Sequence, residues 1–290
     1  MYLPFSIGLR RAIMERKLNK DVYRKRSSRW KCRADNETIA RSFETNKAEG
    51  LSQRELPTVM EFNGVEFPSK AARQSLVESF LQYCNPWMPT LDGNDLKMIL
   101  DGTSSPLLAQ ALYLAVSRVS SSPMVRAFAS TQQFYERAKV LFWTGYENSP
   151  VIAIEVTIML QWYNPEGPEH VLLDLSEYWL KTGVGLAHQV GLHKEPIPGP
   201  MSSIRRRLWW SLVARDSLIS AAHGRPRAIN LEDSEAHLPT LSDFPDAEED
   251  GLLFIGYFEI CRLLGYLTDC CARNYLPNSK KLDIKNALFR

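Results

Sequence analysis

Two histidines, His188 and His193, come nearest to a metal or catalytic site by residue type and proximity. They are five positions apart, whereas helical zinc ligands recur at four positions so that both imidazoles share one face. The other histidines, His170, His223 and His237, are isolated along the sequence. We therefore predict no catalytic residue and no metal ligand in this chain, and we do not expect an enzyme.

Glycine spacing likewise predicts no nucleotide-binding site. Gly183-Val184-Gly185 lacks the third glycine of a dinucleotide-binding loop, and no strand pattern precedes it. Nucleophile elbows, phosphate loops and paired carboxylates do not stand out either, so no cofactor is expected within the chain. In a helix these two glycines each cost about 1 kcal/mol relative to Ala. Close approach of a neighbouring helix backbone is the simpler reason for them, and a ligand cavity is the alternative.

A more specific pattern is a carboxylate in an apolar helix face. At about 100° per residue, Asp216 falls in the middle of an arc filled by Trp209, Leu212, Val213 and Ile219. It is expected to be buried and paired, because an unpaired buried charge costs several kcal/mol. Arg225, just past the Gly224 that ends the helix, is the expected partner. The pair either locks the following loop onto the helices or forms part of an effector-binding site.

The elements that must position these residues are helices. Apolar residues recur with helical spacing and strand-like alternation is nearly absent. Short connections rich in proline and glycine favour antiparallel neighbours. The predicted fold is all-α, an antiparallel helical bundle or an irregular multi-helix domain. The predicted helices cover Ser69–Tyr83, Pro106–Ser120, Met124–Tyr146, Val151–Tyr163, Glu169–Leu192, Ser203–His223 and Ala247–Arg273.

The domain organisation follows from composition. Residues 1–70 show no sustained apolar period and are predicted to form a basic, largely disordered arm. Residues 71–290 are predicted to form the folded domain. Its last residues, 280–290, carry no clear stop signal, which favours a domain truncated at its C-terminus. The chain carries a net charge of +2, but residues 1–33 hold eleven Lys and Arg against two acidic residues.

This basic arm contains a candidate bipartite nuclear import signal. Arg10 and Arg11 form its first cluster, and Arg24, Lys25 and Arg26 follow after twelve residues. A solvated tail is the alternative. Eleven cations could also attract phosphate nonspecifically at low salt, an attraction that physiological salt would largely remove. DNA contact by this arm is therefore expected to be weak.

Acidic residues cluster later in the chain, without Lys or Arg among them. We expect a solvated loop that continues into a helix N-terminus, where carboxylates complement the helix dipole. An activation surface for coregulators is the alternative. The cluster comprises Glu232, Asp233, Glu235, Asp243, Asp246, Glu248, Glu249 and Asp250.

Cysteine usage and hydropathy set the expected compartment. The five cysteines are an odd number without framework spacing, which favours a reducing intracellular environment. No secretory signal pattern precedes the folded domain. The longest apolar run, Leu252 to Leu267, contains Glu259 and Arg262, so no membrane span is expected.

Three motifs together resemble the fungal-specific transcription factor domain. The most specific is Arg205-Arg206-Arg207-Leu208-Trp209-Trp210-Ser211-Leu212, followed by Asp216, then Gly224-Arg225-Pro226-Arg227-Ala228-Ile229 and Leu238-Pro239. An opening motif, residues 83–92, and a helix ending, residues 183–193, agree in order and spacing. The resemblance covers about residues 75–275 and is nearest to the cutinase-regulator branch. The family motif residues are Arg206, Arg207, Trp209, Trp210, Asp216, Gly224, Arg225 and Pro226.

The resemblance implies a nuclear transcriptional regulator. Its family reads DNA through a cluster in which six cysteines hold two zinc ions. This chain has only Cys32 in its first 83 residues, and one thiolate cannot ligate two tetrahedral metal ions. The expected partners are transcription machinery or coregulators and a small-molecule effector, with DNA reached weakly or through other modules. The alternative is a helical interaction or small-molecule-binding domain without direct DNA binding.

Overall fold

A computed structural model describes residues 56–165, 176–245, 247–272, 281–282 and 284–286. Within these ranges the secondary structure is helical, without β-strands, which confirms the all-α prediction. Short 3₁₀ turns occupy Leu231–Asp233 and Leu241–Asp243. The principal helices are α1 (Leu56–Glu61), α2 (Lys70–Tyr83), α3 (Gly93–Asp101), α4 (Pro106–Ser117), α5 (Pro123–Phe128), α6 (Thr131–Trp143), α7 (Pro150–Leu160), α8 (Ser176–Gln189), α9 (Ser202–His223) and α10 (Glu248–Ala272).

Two apolar helices, α4 and α7, form the centre of the core. Residues 107–116 of α4 are all buried, and α7 is apolar on nearly every side. A helix with no polar face must be covered all round. Helices α2, α6 and α7 cover α4, while α8 covers much of α7.

Helix α9 connects this core to the last helix. It packs most extensively against α10 and also contacts α7 and α8. Its 22 residues make it long enough to touch three neighbours. Residues 208–217 are buried without interruption, so their polar side chains must find partners inside the protein.

One predicted helix is wrong, because it is interrupted. Met124–Tyr146 forms two helices, α5 and α6, that break at Ala129 and Ser130. The Ser130 hydroxyl accepts a hydrogen bond from the Gln133 amide at 3.2 Å, and the Gln133 side chain accepts from the Ser130 amide at 2.8 Å. This reciprocal capping box starts a new helix at Thr131.

Two short helices were not predicted. A capping box of Asp92 and Asp95 begins α3, and α1 precedes the expected start of the folded domain. Val59 of α1 is fully buried in the core. The body therefore includes residues before Ser69, because α1 packs on α6.

The basic arm, its candidate import signal at Arg10, Arg11, Arg24, Lys25 and Arg26, and Cys32 lie outside the described residues. So do residues 169–175 of the predicted helix Glu169–Leu192, and His170 and Asp246. The last residues of the chain, 287–290, are also outside them.

Helix α10 is long and apolar enough to cross a membrane by length and composition alone. In the described structure its residues Phe254, Phe258 and Cys261 are buried, and α10 packs along α9. Core helices of folded domains have this composition too. That the chain does not enter a membrane stays a prediction.

The two glycines of α8 differ in their surroundings. A Cβ at Gly183 would lie 2.4 Å from Thr157 Oγ1 of α7 and 3.2 Å from Leu212 Cδ2 of α9. A close approach therefore exists at Gly183, but side chains of two neighbouring helices make it and not a helix backbone as predicted. Nothing lies within 4 Å of a Cβ at Gly185, so packing does not account for that glycine.

Candidate functional site

The charged and aromatic residues of the predicted motif lie on α9 and on the segment that follows it. After α9 ends at Gly224, which has φ +62, the chain returns along the helix through residues 225–243. We call this segment the return loop. Several side chains of α9 bind it, and we call Arg206, Trp209, Trp210 and Asp216 the clasp. The Ser220 hydroxyl also donates to the Arg225 carbonyl oxygen at the start of the loop.

Arg206 holds the far end of the return loop. Its Nε donates to Asp243 Oδ1 at 2.7 Å, and its Nη1 donates to Glu195 Oε1 at 2.8 Å. Burial opposes the charged form, but the hydrogen bonds and charges of Asp243 and Glu195 raise the pKa of Arg206. The Asp243 side chain is 0% exposed, so the prediction that the acidic cluster is solvated is wrong at Asp243. The reason is its ion pair with Arg206.

The two tryptophans bind the middle of the return loop. Trp209 Nε1 donates to Ser234 Oγ at 3.0 Å, and Trp210 Nε1 donates to the His237 carbonyl oxygen at 2.7 Å. The Trp210 ring also packs edge-on against Phe258 of α10, with 4.9 Å between centroids. Both tryptophans are buried and have different partners, as expected of neighbours about 100° apart on a helix.

Asp216 holds the near end of the return loop, and it is 2% exposed. Its Oδ1 accepts from the Ala228 amide at 2.8 Å, and its Oδ2 accepts from the Ile229 amide at 3.0 Å. Burial raises the pKa of Asp216, and these two hydrogen bonds and the charge of Arg227 oppose the rise. The predicted burial is confirmed.

The expected partner of Asp216 is wrong. Arg225 forms its ion pair with Glu177 of α8, and the Asp216 carboxylate accepts from two backbone amides instead. Arg227, two residues later, bonds Asp269 of α10. Pro226 is exposed.

His188 and His193 meet despite their unfavourable helical spacing. Helix α8 ends at Gln189, and the chain turns at Gly191, which has φ +69. The two rings lie 5.0 Å apart between centroids, and Trp209 packs on both. Burial and then the neighbouring charges of His188 and Lys194 lower the pKa of His193. Among the described residues, no group of three or more His, Cys, Asp or Glu side chains is placed to hold a metal ion.

A second set of polar residues lies on another face of α9. Arg207, Ser211 and Arg215 recur every four residues and therefore share one face, roughly 165° from the mean direction of the clasp at about 100° per residue. We call them the inner stripe. Arg207 is one of the family motif residues, Ser211 lies within the motif run from Arg205 to Leu212, and Arg215 lies outside it.

Arg207 lies among carboxyl groups, and no ion pair within 4.0 Å joins it to a described Asp or Glu. Its Cζ is 5.7 Å from the centroid of the Phe244 ring. Burial lowers its pKa, while the charges of Asp92, Glu155 and Asp95 oppose that shift. Glu155 of α7 is itself buried, and burial, followed by repulsion from Asp95 and Asp92, raises its pKa well above the usual value.

Arg215 is buried among neutral groups. Its Nη2 donates to the Gln161 carbonyl oxygen at 3.0 Å, and its Cζ lies 4.3 Å from the centroid of the Trp162 ring. Burial lowers its pKa, while Tyr257 and Cys261 of α10 act in the opposite direction. Burial also raises the pKa of the Cys261 thiol to about 11, so this thiol is not activated as a nucleophile.

The opening motif lies beside α10. Asn85 Nδ2 donates to Asp250 Oδ2 at 2.5 Å, and the Trp87 ring meets Tyr257 edge-on with 5.4 Å between centroids. Thus all three motifs of the sequence contribute to the contacts around α9 and α10.

A family profile described as "Fungal specific transcription factor domain" matches residues 77–260. The chain belongs to this family. As a fungal-specific transcription factor domain it is a transcription-regulatory domain and not an enzyme.

Curated relatives of this domain are fungal regulators. Cutinase transcription factor 1 alpha of Fusarium vanettenii is 28% identical over 221 residues, 68% of this chain and 24% of that protein. The acetamidase regulatory protein of Aspergillus oryzae is 28% identical over 217 residues, 71% of this chain and 28% of that protein. The chain thus spans about a quarter of the length of these relatives. No solved structure matches it.

Two buried charged residues of this fungal-specific transcription factor domain, Asp243 and Arg215, were not predicted to be buried. Asp243 lies in a run of acidic residues typical of a solvated loop, and Arg215 precedes the more conspicuous Asp216. The four-residue spacing of Arg207, Ser211 and Arg215 was the available signal for the inner stripe.

Proposed function

We propose that this chain regulates transcription in the nucleus through protein contacts and does not itself read a DNA sequence. Membership of the fungal-specific transcription factor domain family is the observation that carries the proposal. Coregulators or components of the transcription machinery are the partners we propose. DNA recognition then comes from a module that this sequence does not contain, since its first 83 residues hold a single cysteine.

The basic arm supports delivery to the nucleus. Two basic clusters separated by twelve residues fit a bipartite import signal. A fluorescent fusion of the full chain is expected to concentrate in fungal nuclei. Replacing Arg24, Lys25 and Arg26 with Ala should disperse it into the cytoplasm. The matched control replaces Arg16, Lys17 and Lys20 with Ala, which removes the same charge from the spacer and should leave the fusion nuclear.

Regulatory activity can be tested by tethering. The full chain is fused to the DNA-binding module of an unrelated protein, and transcription of a reporter with the matching site is measured. We expect transcription to change relative to the DNA-binding module alone. No change in either direction would contradict a regulatory role for this chain.

Direct DNA binding is tested with the purified chain and a pool of random duplexes. We expect weak binding without sequence preference, falling about a thousandfold or more between about 50 and 200 mM salt if the arm contacts six or more phosphates. A selected sequence that keeps its affinity at the higher salt would overturn the proposal.

Binding of a small-molecule effector is a second candidate function. The observation that favours it is the buried inner stripe, where polar atoms have no protein partner among the described residues. Polar groups buried without partners are costly and are often retained for function.

A further inference from the structure

Arg215 is a buried cation without a counterion in the part of the chain that the structure describes. Its residue is 9% exposed, and no described Asp or Glu oxygen lies within 4.0 Å of its nitrogens. Arginine keeps its proton in proteins, so the charge cannot be removed by deprotonation. An isolated buried charge is expensive unless an anion or a dense set of acceptors compensates it.

Most of the unpartnered polar atoms around this cation are hydrogen-bond donors. Arg215 Nε, Gln161 Nε2 and Oε1, Trp162 Nε1 and Ser211 Oγ are all buried and have no hydrogen-bond partner among the described residues, and the Tyr257 hydroxyl interacts with Arg215 and Cys261. Gln161 and Ser211 are 0% and 1% exposed. Hydroxyl groups can also accept, but guanidinium and indole nitrogens only donate. Such a set calls for an acceptor with negative charge.

These donors belong to one neighbourhood. The Gln161 carbonyl accepts from Arg215, and the Trp162 ring lies against its guanidinium at 4.3 Å. Tyr257 is close enough for a side-chain interaction with Arg215. Ser211 precedes Arg215 by one helical turn on the same face.

We propose that this neighbourhood, the Arg215 site, binds a small organic carboxylate. One carboxylate charge balances one guanidinium, and the planar fork of arginine matches two carboxylate oxygens. A phosphate would bring a second negative charge, and Arg118 is the further cation that acts electrostatically on Arg215, so phosphate is measured beside the carboxylates. The rings of Trp162 and Tyr257 offer apolar surface to the carbon skeleton of the ligand. Both residues are partly exposed, which places the site one side chain below the surface.

As an effector site, the Arg215 site rests on the function proposed above, whereas binding to the purified chain is independent of that function. The full chain is tested by thermal unfolding and titration calorimetry with sodium acetate, succinate, benzoate and octanoate. Sodium chloride and phosphate at equal ionic strength are the controls. We expect one or more of the carboxylates to bind with one-to-one stoichiometry and to raise Tm in a saturable manner.

Variants separate the Arg215 site from general anion effects. Arg215→Met should fold, because an apolar side chain of similar length removes the buried charge, and should lose at least a hundredfold in carboxylate affinity. Tyr257→Phe, which removes one hydroxyl, should lose about tenfold. Arg225→Met is the matched control, since Arg225 pairs with Glu177 on another part of the surface, and should bind like the wild type.

The outcomes are distinct. Failure of all four carboxylates to bind, stronger binding of phosphate, or equal carboxylate binding by Arg215→Met would overturn the proposal. If Arg215→Met does not fold, undiminished binding by Tyr257→Phe would also overturn it. Carboxylate binding that leaves the tethered reporter unchanged would sustain the site and contradict its role as an effector site.

Discussion

The clasp and the inner stripe occupy two faces of one helix and satisfy their polar groups differently. Clasp side chains bond the return loop in antiparallel order, from Asp216 at residues 228 and 229 to Arg206 at Asp243. In the inner stripe, Arg207 Nε, Ser211 Oγ and Arg215 Nε have no hydrogen-bond partner among the described residues.

The two faces of α9 therefore have different roles in the family motif. The clasp residues form hydrogen bonds that hold the return loop, so we expect their substitution to lower the free energy of unfolding. The inner stripe instead contains buried polar atoms that have no hydrogen-bond partner among the described residues. Stability and ligand recognition are thus expected to separate by helix face.

The largest effect that sharpens this comparison is expected from Asp216→Ala. It leaves the Ala228 and Ile229 amides buried without an acceptor, each costing about 1–3 kcal/mol. The free energy of unfolding in urea should fall by about 3–5 kcal/mol. Asp216→Asn keeps one acceptor oxygen and should lose about half as much. A loss below about 1 kcal/mol for Asp216→Ala would show that the clasp is not needed to hold the loop.

A smaller effect is expected when one clasp hydrogen bond is removed together with part of a ring. Trp210→Phe loses the donor to the His237 carbonyl and some contact with Phe258. We expect a loss of about 1–2 kcal/mol in the same urea measurement. Trp87→Phe is the control, because Trp87 is 41% exposed, and should change stability by less than about 0.5 kcal/mol. Equal losses for both variants would show that the hydrogen bond from Trp210 to the return loop does not stabilise the domain.

The smallest effect is expected in the pH dependence of the free energy of unfolding, through the acids near Arg207 of the inner stripe. Burial raises the folded-state pKa of Glu155, so its stabilising contribution is complete below its unfolded pKa and is lost as pH rises toward the folded value. Asp95, whose pKa burial raises to about 6, acts in the same direction between pH 3.8 and 6. The ionisation of both groups should therefore lower the wild-type free energy of unfolding as pH rises through this range.

Glu155→Gln should remove part of this slope, since glutamine resembles the protonated acid and does not titrate. The Asp95 contribution between pH 3.8 and 6 should remain. Urea unfolding at a series of pH values measures both. An unchanged slope above pH 6 would mean that Glu155 is not the buried acid responsible.

The sequence was sufficient for the long helices and for the position of the motif. Helical periodicity located α9 and α10 within one residue at each end. The break before Thr131 and the start of α3 depend on capping boxes, at Ser130 and Asp92. Both patterns are readable locally, but apolar periodicity alone does not register them.

Partners of the site residues could not be predicted in the same way. Which group meets Asp216 depends on the path of the return loop, which presents two backbone amides to it and directs Arg225 to Glu177. Asp243 reaches Arg206 across 37 positions. Burial of Arg215 depends on α7 and α10 covering it together, a tertiary arrangement that composition does not encode.

The most direct test of the two-face account applies one substitution to both faces. Arg206→Met strands the buried Asp243 carboxylate, whereas Arg215→Met removes a charge that has no described counterion. In urea unfolding without added carboxylate, we expect Arg206→Met to lose about 3 kcal/mol and Arg215→Met to equal or exceed the wild type. Equal destabilisation by the two variants would contradict the account.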